Sequence, residues 1–395
     1  MALMQLDDPV RRVPPNSFAL WALGFRPFYL LAALFAALAI PLWVMLLSGA
    51  IAMPMQAVWW HAHEMLYGFA SAVIVGFLFT AGRNWTGLPT PTGTALAFLA
   101  LVWLAGRLTM AFGAGVWGAI IDLAFLPMAA SAIARVLWLS KSRKQYFVVV
   151  ILALLTLGNA AFHLGRLGIL LLDPLATLHF ALAVIITLET VIAGRVVPSF
   201  TSAVIRGIAQ WQRGWLNIAA IAATAIALFS WALLPDARWG AVLSLLAALL
   251  QFVRLAGWNP WATRRVPMLW ILHASYLWIP IGLTLLAAAE WGWLPRSAGI
   301  HALTIGATAG LILGMMSRTA LGHTGRVPMA SRIETTAFAL IQLAAIVRVF
   351  TIVLAPAAVT AGIHIAATAW TAAFALYLWR YTPFLMCSRV DGLPG

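Results

Sequence analysis

Apolar runs of about 20 residues, the length of helix that crosses a bilayer, recur along nearly the whole chain. A backbone placed in hydrocarbon must close its hydrogen bonds within itself, so such runs fold as helices. Hydropathy predicts spans over 28–48, 60–82, 94–112, 116–139, 146–170 and 174–197. Six more follow over 215–234, 239–257, 267–289, 298–319, 333–355 and 357–380. The connections leave no room for a soluble domain, so residues 1–395 are expected to form one all-α, polytopic membrane domain. With 64% of residues hydrophobic and only 9% charged, the composition agrees.

The formal net charge of +14 would point a soluble domain toward nucleic acid. In a membrane chain it has another cause, because basic residues collect in cytoplasmic loops. Loops after even-numbered spans carry Lys141, Arg143 and Lys144, then Arg206 and Arg213, Arg264 and Arg265, and Arg326 and Arg332. Loops after odd-numbered spans carry little, chiefly Arg238 and Arg296. Both termini are therefore expected in the cytoplasm, with the bilayer as partner and no nucleic acid. Even-numbered spans then begin on the outer side. The N-terminal stretch MALMQLDDPVRRVPPNSF is polar, lacks the apolar core of a signal peptide, and is expected to be retained. The single cysteine, Cys387, excludes an intrachain disulfide, a cysteine-held iron–sulfur cluster, a CxxCH haem attachment and a paired-thiolate binuclear copper centre.

A period of four spans is visible. His63 opens span 2, His179 opens span 6 and His301 opens span 10, and each span runs into a basic, proline-bearing turn: GRNWTGLP, GRVVP and GRVP. Arg107 and Arg348 sit in the outer halves of spans 3 and 11, while span 7 has no counterpart. The pattern predicts three four-helix repeats, 28–140, 146–257 and 267–380, around a pseudo-threefold axis.

On this topology His61, His63, His163, His179, His301 and His364 share one outer layer, six of the eight histidines. A lone intramembrane histidine is more often a packing residue than a ligand. Six in one layer favour ligands, since neutral imidazole holds haem iron and copper. One or two, most plausibly His61 or His364, would instead sit in the wet interface. Arg107, Arg166 and Arg348 lie at the same depth and suit haem propionates; ordinary pairing of Arg107 with Asp122 and of Arg166 with Asp173 is the alternative. Histidines two apart on a helix point about 200° away from each other, so in WWHAHEMLYGF (59–69) either His61 sits outside the helix or His61 and His63 face two different sites. The 20 tryptophans suit haem faces or membrane-interface anchoring.

GFRPFYLLAALFA (24–36), WHAHEMLYGFASAVIVGFLFTAGRNWTGLP (60–89) and GRVVPSFT (194–201) resemble the NnrS family, and the likeness runs through all twelve spans. That resemblance implies a bacterial inner-membrane protein with haem and copper, tied to nitric oxide metabolism and nitrosative stress; without a CxxCH site the haem is expected to be non-covalent and b-type. On its basis His61 and His63 are ligand candidates. Three arcs of four spans with histidines on 2, 6 and 10 also look like the haem–copper oxidase superfamily, which includes nitric oxide reductases. This chain lacks that group's second histidine on span 10 and its pair on span 7, so copper would be held otherwise, for instance by His163 with His179.

The expected function is reduction of nitric oxide to nitrous oxide with electrons from quinol. Glu189, deep in span 6, is expected to deliver protons or take part in quinol oxidation, its alternative being a carboxyl hydrogen-bonded to a neighbouring helix. Glu64, beside His63, would orient a ligand or relay protons. The rival is a non-enzymatic haem protein that binds nitric oxide or shields metal centres. A transporter, the third class, should keep polar residues on both sides of the membrane, whereas here they gather in one layer.

Overall fold

The computed structural model describes residue 14 and residues 16–113, 115–234 and 238–393, without the side chain of Arg238. The expectation for the N-terminal stretch falls mostly outside these residues, as does the Arg238 side chain. Within them the chain is helical, and twelve helices are long and apolar enough to cross a membrane. They are α1 (Phe25–Leu47), α2 (Ala57–Thr86), α3 (Gly93–Phe112), α4 (Gly115–Leu139), α5 (Arg143–Arg166) and α6 (Pro174–Val204). The rest are α7 (Gly214–Leu233), α8 (Trp239–Gly257), α9 (Pro267–Glu290), α10 (Arg296–His323), α11 (Arg332–Leu354) and α12 (Pro356–Met386). The protein is an all-α polytopic membrane protein.

Several helices outrun the spans predicted from hydropathy, because backbone hydrogen bonding continues past the apolar window. Span 2, predicted over 60–82, becomes Ala57–Thr86, and span 12, predicted over 357–380, runs to Met386. Span 5 stops earlier than predicted, at Arg166, where Gly168 takes a positive φ of 69° and the chain turns back. α6 starts sharply because Asp173 accepts from the Leu175 N–H and Pro174 occupies the first helical position. α11 starts on a capping box between Ser331 and Glu334.

Neighbours in sequence pack side by side from α3 to α9, α11 lies against α12, and α12 lies against α1. Contact passes without a break from α4 to α5 and from α8 to α9, where the predicted repeats would meet. Arg26 ties α1 to the end of α12: its Nη1 donates to the carbonyls of Leu385 at 3.0 Å and Cys387 at 2.7 Å. α1 and α2 cross so closely that a Cβ on Gly24 would lie 2.6 Å from the Phe79 side chain. In α2, 78% of the most apolar window is buried inside the protein, and in α9 and α10 67%, against 39% for α1. α2 and α10 thus belong to the centre.

These two central helices share a distortion. α2 is π-helical over Glu64–Ala70 and α10 over Ala302–Ala309, each directly after a histidine. One extra residue per turn rotates the side chains that follow, and such bulges concentrate at functional sites. α6 has no such segment.

Candidate functional site

The end of the bundle where α2, α6 and α10 begin holds two polar regions, set on opposite faces of α2. The first is an ion network between α2, α3, α4 and α5. His63 Nδ1 faces Glu64 Oε1 at 2.8 Å, and His63 Nε2 faces Asn159 Oδ1 at 2.9 Å and Asp122 Oδ2 at 3.3 Å. Asn159 Nδ2 donates to Asp122 Oδ2 at 2.8 Å, which fixes its amide with the oxygen toward His63. Arg107 bridges both acids, donating to Glu64 Oε1 at 2.6 Å and to Asp122 Oδ1. His163 Nε2 meets Asp122 Oδ2 at 2.9 Å. Glu64, His63, Arg107, Asp122, Asn159 and His163 are all buried. Gly68 makes room for the guanidinium, since a Cβ there would lie 3.0 Å from Arg107 Nη1.

His63 therefore has an oxygen acceptor at each ring nitrogen, the arrangement of an imidazolium with two N–H donors. With His63 and Arg107 cationic and Glu64 and Asp122 anionic, the network is neutral by itself. Buried charges persist when paired and hydrogen-bonded in this way.

The second region is a cavity of about 200 Å³ between α2, α6 and α10. Its walls are mostly apolar, including Met65, Leu66, Phe69 and Leu182, with His61, His179 and His301 among them. The wall positions on α2 run Val58, His61, Ala62, Met65, Leu66 and Phe69, one face of a helix. His63 is off that face, which is why the neighbouring histidines part company. The rings of His61 and His301 lie 6.5 Å apart, centre to centre, and 18° from parallel. His301 Nδ1 donates to the Ser297 carbonyl at 2.6 Å, which leaves Nε2 with its lone pair. His61 stacks on Trp43 at 4.2 Å, and its buried Nδ1 has no hydrogen-bond partner. His179 packs beside Trp231 with ring centres 4.4 Å apart.

Several expectations change here. His61, rather than His63, joins His179 and His301. Of the two readings of Arg107, the pairing with Asp122 is the one found, with Glu64 as a second partner, so it is not left for a propionate. His163 and His179, offered as a copper pair, lie in different regions, because α5 turns His163 toward Asp122 while α6 turns His179 into the cavity. Arg166 does not pair with Asp173; its Nη2 reaches the Gly115 carbonyl at 3.5 Å. His364 is exposed on α12, away from both regions. Arg348 forms no ion pair or hydrogen bond among the described residues, yet lies within electrostatic reach of His61 and His301.

Glu189 borders a second cavity, of about 90 Å³, further along α2, α6 and α10. Its Oε2 is buried and has no hydrogen-bond partner. Asn159 and the central place of Asp122 escaped the sequence reading. The signal was present: Asn159 precedes His163 by one helical turn, and Asp122 is an acid inside a predicted span.

The fold and these buried groups define an integral membrane helical bundle with a histidine-lined internal cavity beside a charge-paired ion network. The chain belongs to the NnrS family: the family model described as NnrS protein matches residues 19–389, nearly its whole length. A comparison with curated proteins gives no match.

Proposed function

We propose that the cavity bounded by His61, His179 and His301 takes a haem, and that the protein removes nitric oxide by reducing it to nitrous oxide with quinol electrons. The observation that carries this is the facing pair of imidazoles. Neutral imidazole is the usual protein ligand of haem iron, and His61 and His301, with ring centres 6.5 Å apart, would be the residues to hold one. The cavity encloses less volume than a macrocycle displaces, but its rim is open, with Val58 on it 53% exposed. Arg348, uncommitted and near both histidines, suits a propionate. When bound, a haem iron would supply a coordination site for nitric oxide and a store for one electron.

The two histidines are held unequally. Ser297 fixes the His301 ring, which would make His301 the lasting ligand, whereas among the described residues no hydrogen bond holds His61 Nδ1. The His61 side is where nitric oxide would enter. The overall reaction joins two nitric oxide molecules with two electrons and two protons to give nitrous oxide and water, and quinol oxidation to quinone releases that number of each. Nitric oxide is small and apolar, so the apolar walls admit it.

Copper has less support. His63, Asp122 and His163 each offer a ligand atom within 4.8 Å of the others, a donor set that suits a borderline ion. Both ring nitrogens of His63 are already spent on oxygens, however, and the network balances its own charge. These residues do not fit a metal as they stand. Membership of the NnrS family favours a bacterial inner-membrane location, and the basic loops favour the histidine end outward with both termini cytoplasmic.

A two-sided grip on iron also favours the rival reading, a haem protein that binds nitric oxide without turnover. Purified, reduced protein should show a haem absorption band that His301→Ala loses. Given reduced quinol without oxygen, it should consume many equivalents of nitric oxide. Uptake that stops at one equivalent would leave the binder, and the lack of any haem band would remove both readings.

A further inference from the structure

The two cavities lie one above the other along the same three helices. On α2 the histidine cavity ends at Phe69 and the glutamate cavity begins at Ala70; on α6 the change falls between Leu182 and Ile185. On α10 it falls between Thr308, in the wall of the histidine cavity, and Leu311, in the wall of the other. Thr308 is the polar side chain of the histidine-cavity wall next to this boundary, and Glu189, one helical turn beyond it on α6, borders the glutamate cavity within interaction range of the Thr308 hydroxyl. Glu189 Oε2 and Thr308 Oγ1 are both buried, and among the described residues neither is closed by a hydrogen bond.

Buried polar atoms left open are uncommon, because each costs about 1–3 kcal/mol. Two of them in the walls of adjoining cavities call for an explanation. Among the described residues no cation pairs with Glu189, so its carboxyl holds a proton more cheaply than a charge. A hydroxyl accepts one hydrogen bond and donates another, so it can pass that proton on. At the far side of the glutamate cavity stands Tyr29, whose hydroxyl accepts from Thr319 Oγ1 at 3.3 Å, on the part of α10 that leads away from the histidines. Each cavity exceeds the roughly 10–15 Å³ that one water needs.

We infer that Glu189 and Thr308 form a proton relay that joins the glutamate cavity to the histidine cavity. Glu189 would release its proton through the Thr308 hydroxyl and be reloaded from the Tyr29 side. This rests on the reading of the histidine cavity as a site of proton-consuming reduction. It adds the route by which protons cross an otherwise apolar layer.

The test uses full-length protein in detergent, with Glu189→Gln, Thr308→Val and Thr308→Ser. Proton uptake that accompanies reduction of the bound haem is followed with a pH-sensitive dye. Glu189→Gln should keep wild-type haem content and slow uptake about a hundredfold, within the range that a positioned proton-transfer group contributes. Thr308→Val should slow it about tenfold, and Thr308→Ser, which keeps the hydroxyl, should restore it. Normal uptake in Glu189→Gln with normal haem overturns the relay. A second readout needs no haem, so it separates failure of the relay from failure of the haem site. The infrared carboxyl stretch that disappears in Glu189→Gln should shift in Thr308→Val, and an unshifted band overturns the relay.

Discussion

His61 and His63 are two residues apart, yet they live in opposite electrostatic worlds. Around His63 both ring nitrogens meet oxygens, and every charge has a partner. Around His61 there is a stacked indole, an open cavity and a ring nitrogen without a hydrogen bond. The first environment balances its charges, although Glu64 Oε2, Arg107 Nε and His163 Nδ1 make no hydrogen bond among the described residues, and the second offers an imidazole no charged partner at all. Burial alone does not separate a structural histidine from a ligand; what stands opposite its ring nitrogens does. A charge-paired network should answer to mutation by losing stability, and an open site by losing what it binds.

The largest expected effect falls on the network. Arg107→Leu leaves Glu64 and Asp122 buried near each other with one cation between them, and breaking a buried ion pair from one side costs about 3–5 kcal/mol. The variant should melt far below wild type in detergent, followed by helical circular dichroism. His301→Ala removes no charge partner and should melt close to apo wild type. If Arg107→Leu kept its melting temperature, the network would not be the structural element that its geometry describes.

Next comes the contrast between the two histidines. His61→Ala should cut haem content at least by the roughly tenfold that even loss of a ligand's supporting partner costs in metal affinity. His63→Ala should keep haem in whatever fraction folds, and lose thermal stability instead. Haem per folded protein, measured after size exclusion, separates the two. Loss of haem in both variants would merge the two regions into one site.

Much of this contrast was legible beforehand, and the limits are physical. Twelve spans and the divergence of His61 from His63 follow from helix periodicity and hydrocarbon length, which are local properties. The partners are not local. That His61 meets His301 across 240 residues, and that Asp122 gathers His63, Arg107, Asn159 and His163, depends on how five helices pack. Register read from the chain aligned His63 with His179 and His301. The structure puts His61 in that place, because the wall face of α2 runs through Val58, His61 and Met65. The π-helical turns after His63 and His301 have no signature in hydropathy.

The smallest expected effect sharpens the open side. Trp43 stacks on His61 at 25° between planes, and its buried indole Nε1 has no hydrogen-bond partner. Trp43→Phe keeps an aromatic face on the imidazole and removes an unsatisfied donor, so the two changes oppose each other. Lost ring area costs of the order of 0.5–1.5 kcal/mol, and relief of an unpaired buried N–H returns about 1–3 kcal/mol. Apo protein carrying Trp43→Phe should therefore melt at or slightly above wild type. Haem-loaded protein offers a finer comparison, because a group bound beside His61 can give the indole the acceptor that it lacks. Trp43→Phe would then lower the stability of loaded protein while sparing the apo form. Equal shifts in both forms would mean that the indole only packs, and that whatever completes His61 does not reach Trp43.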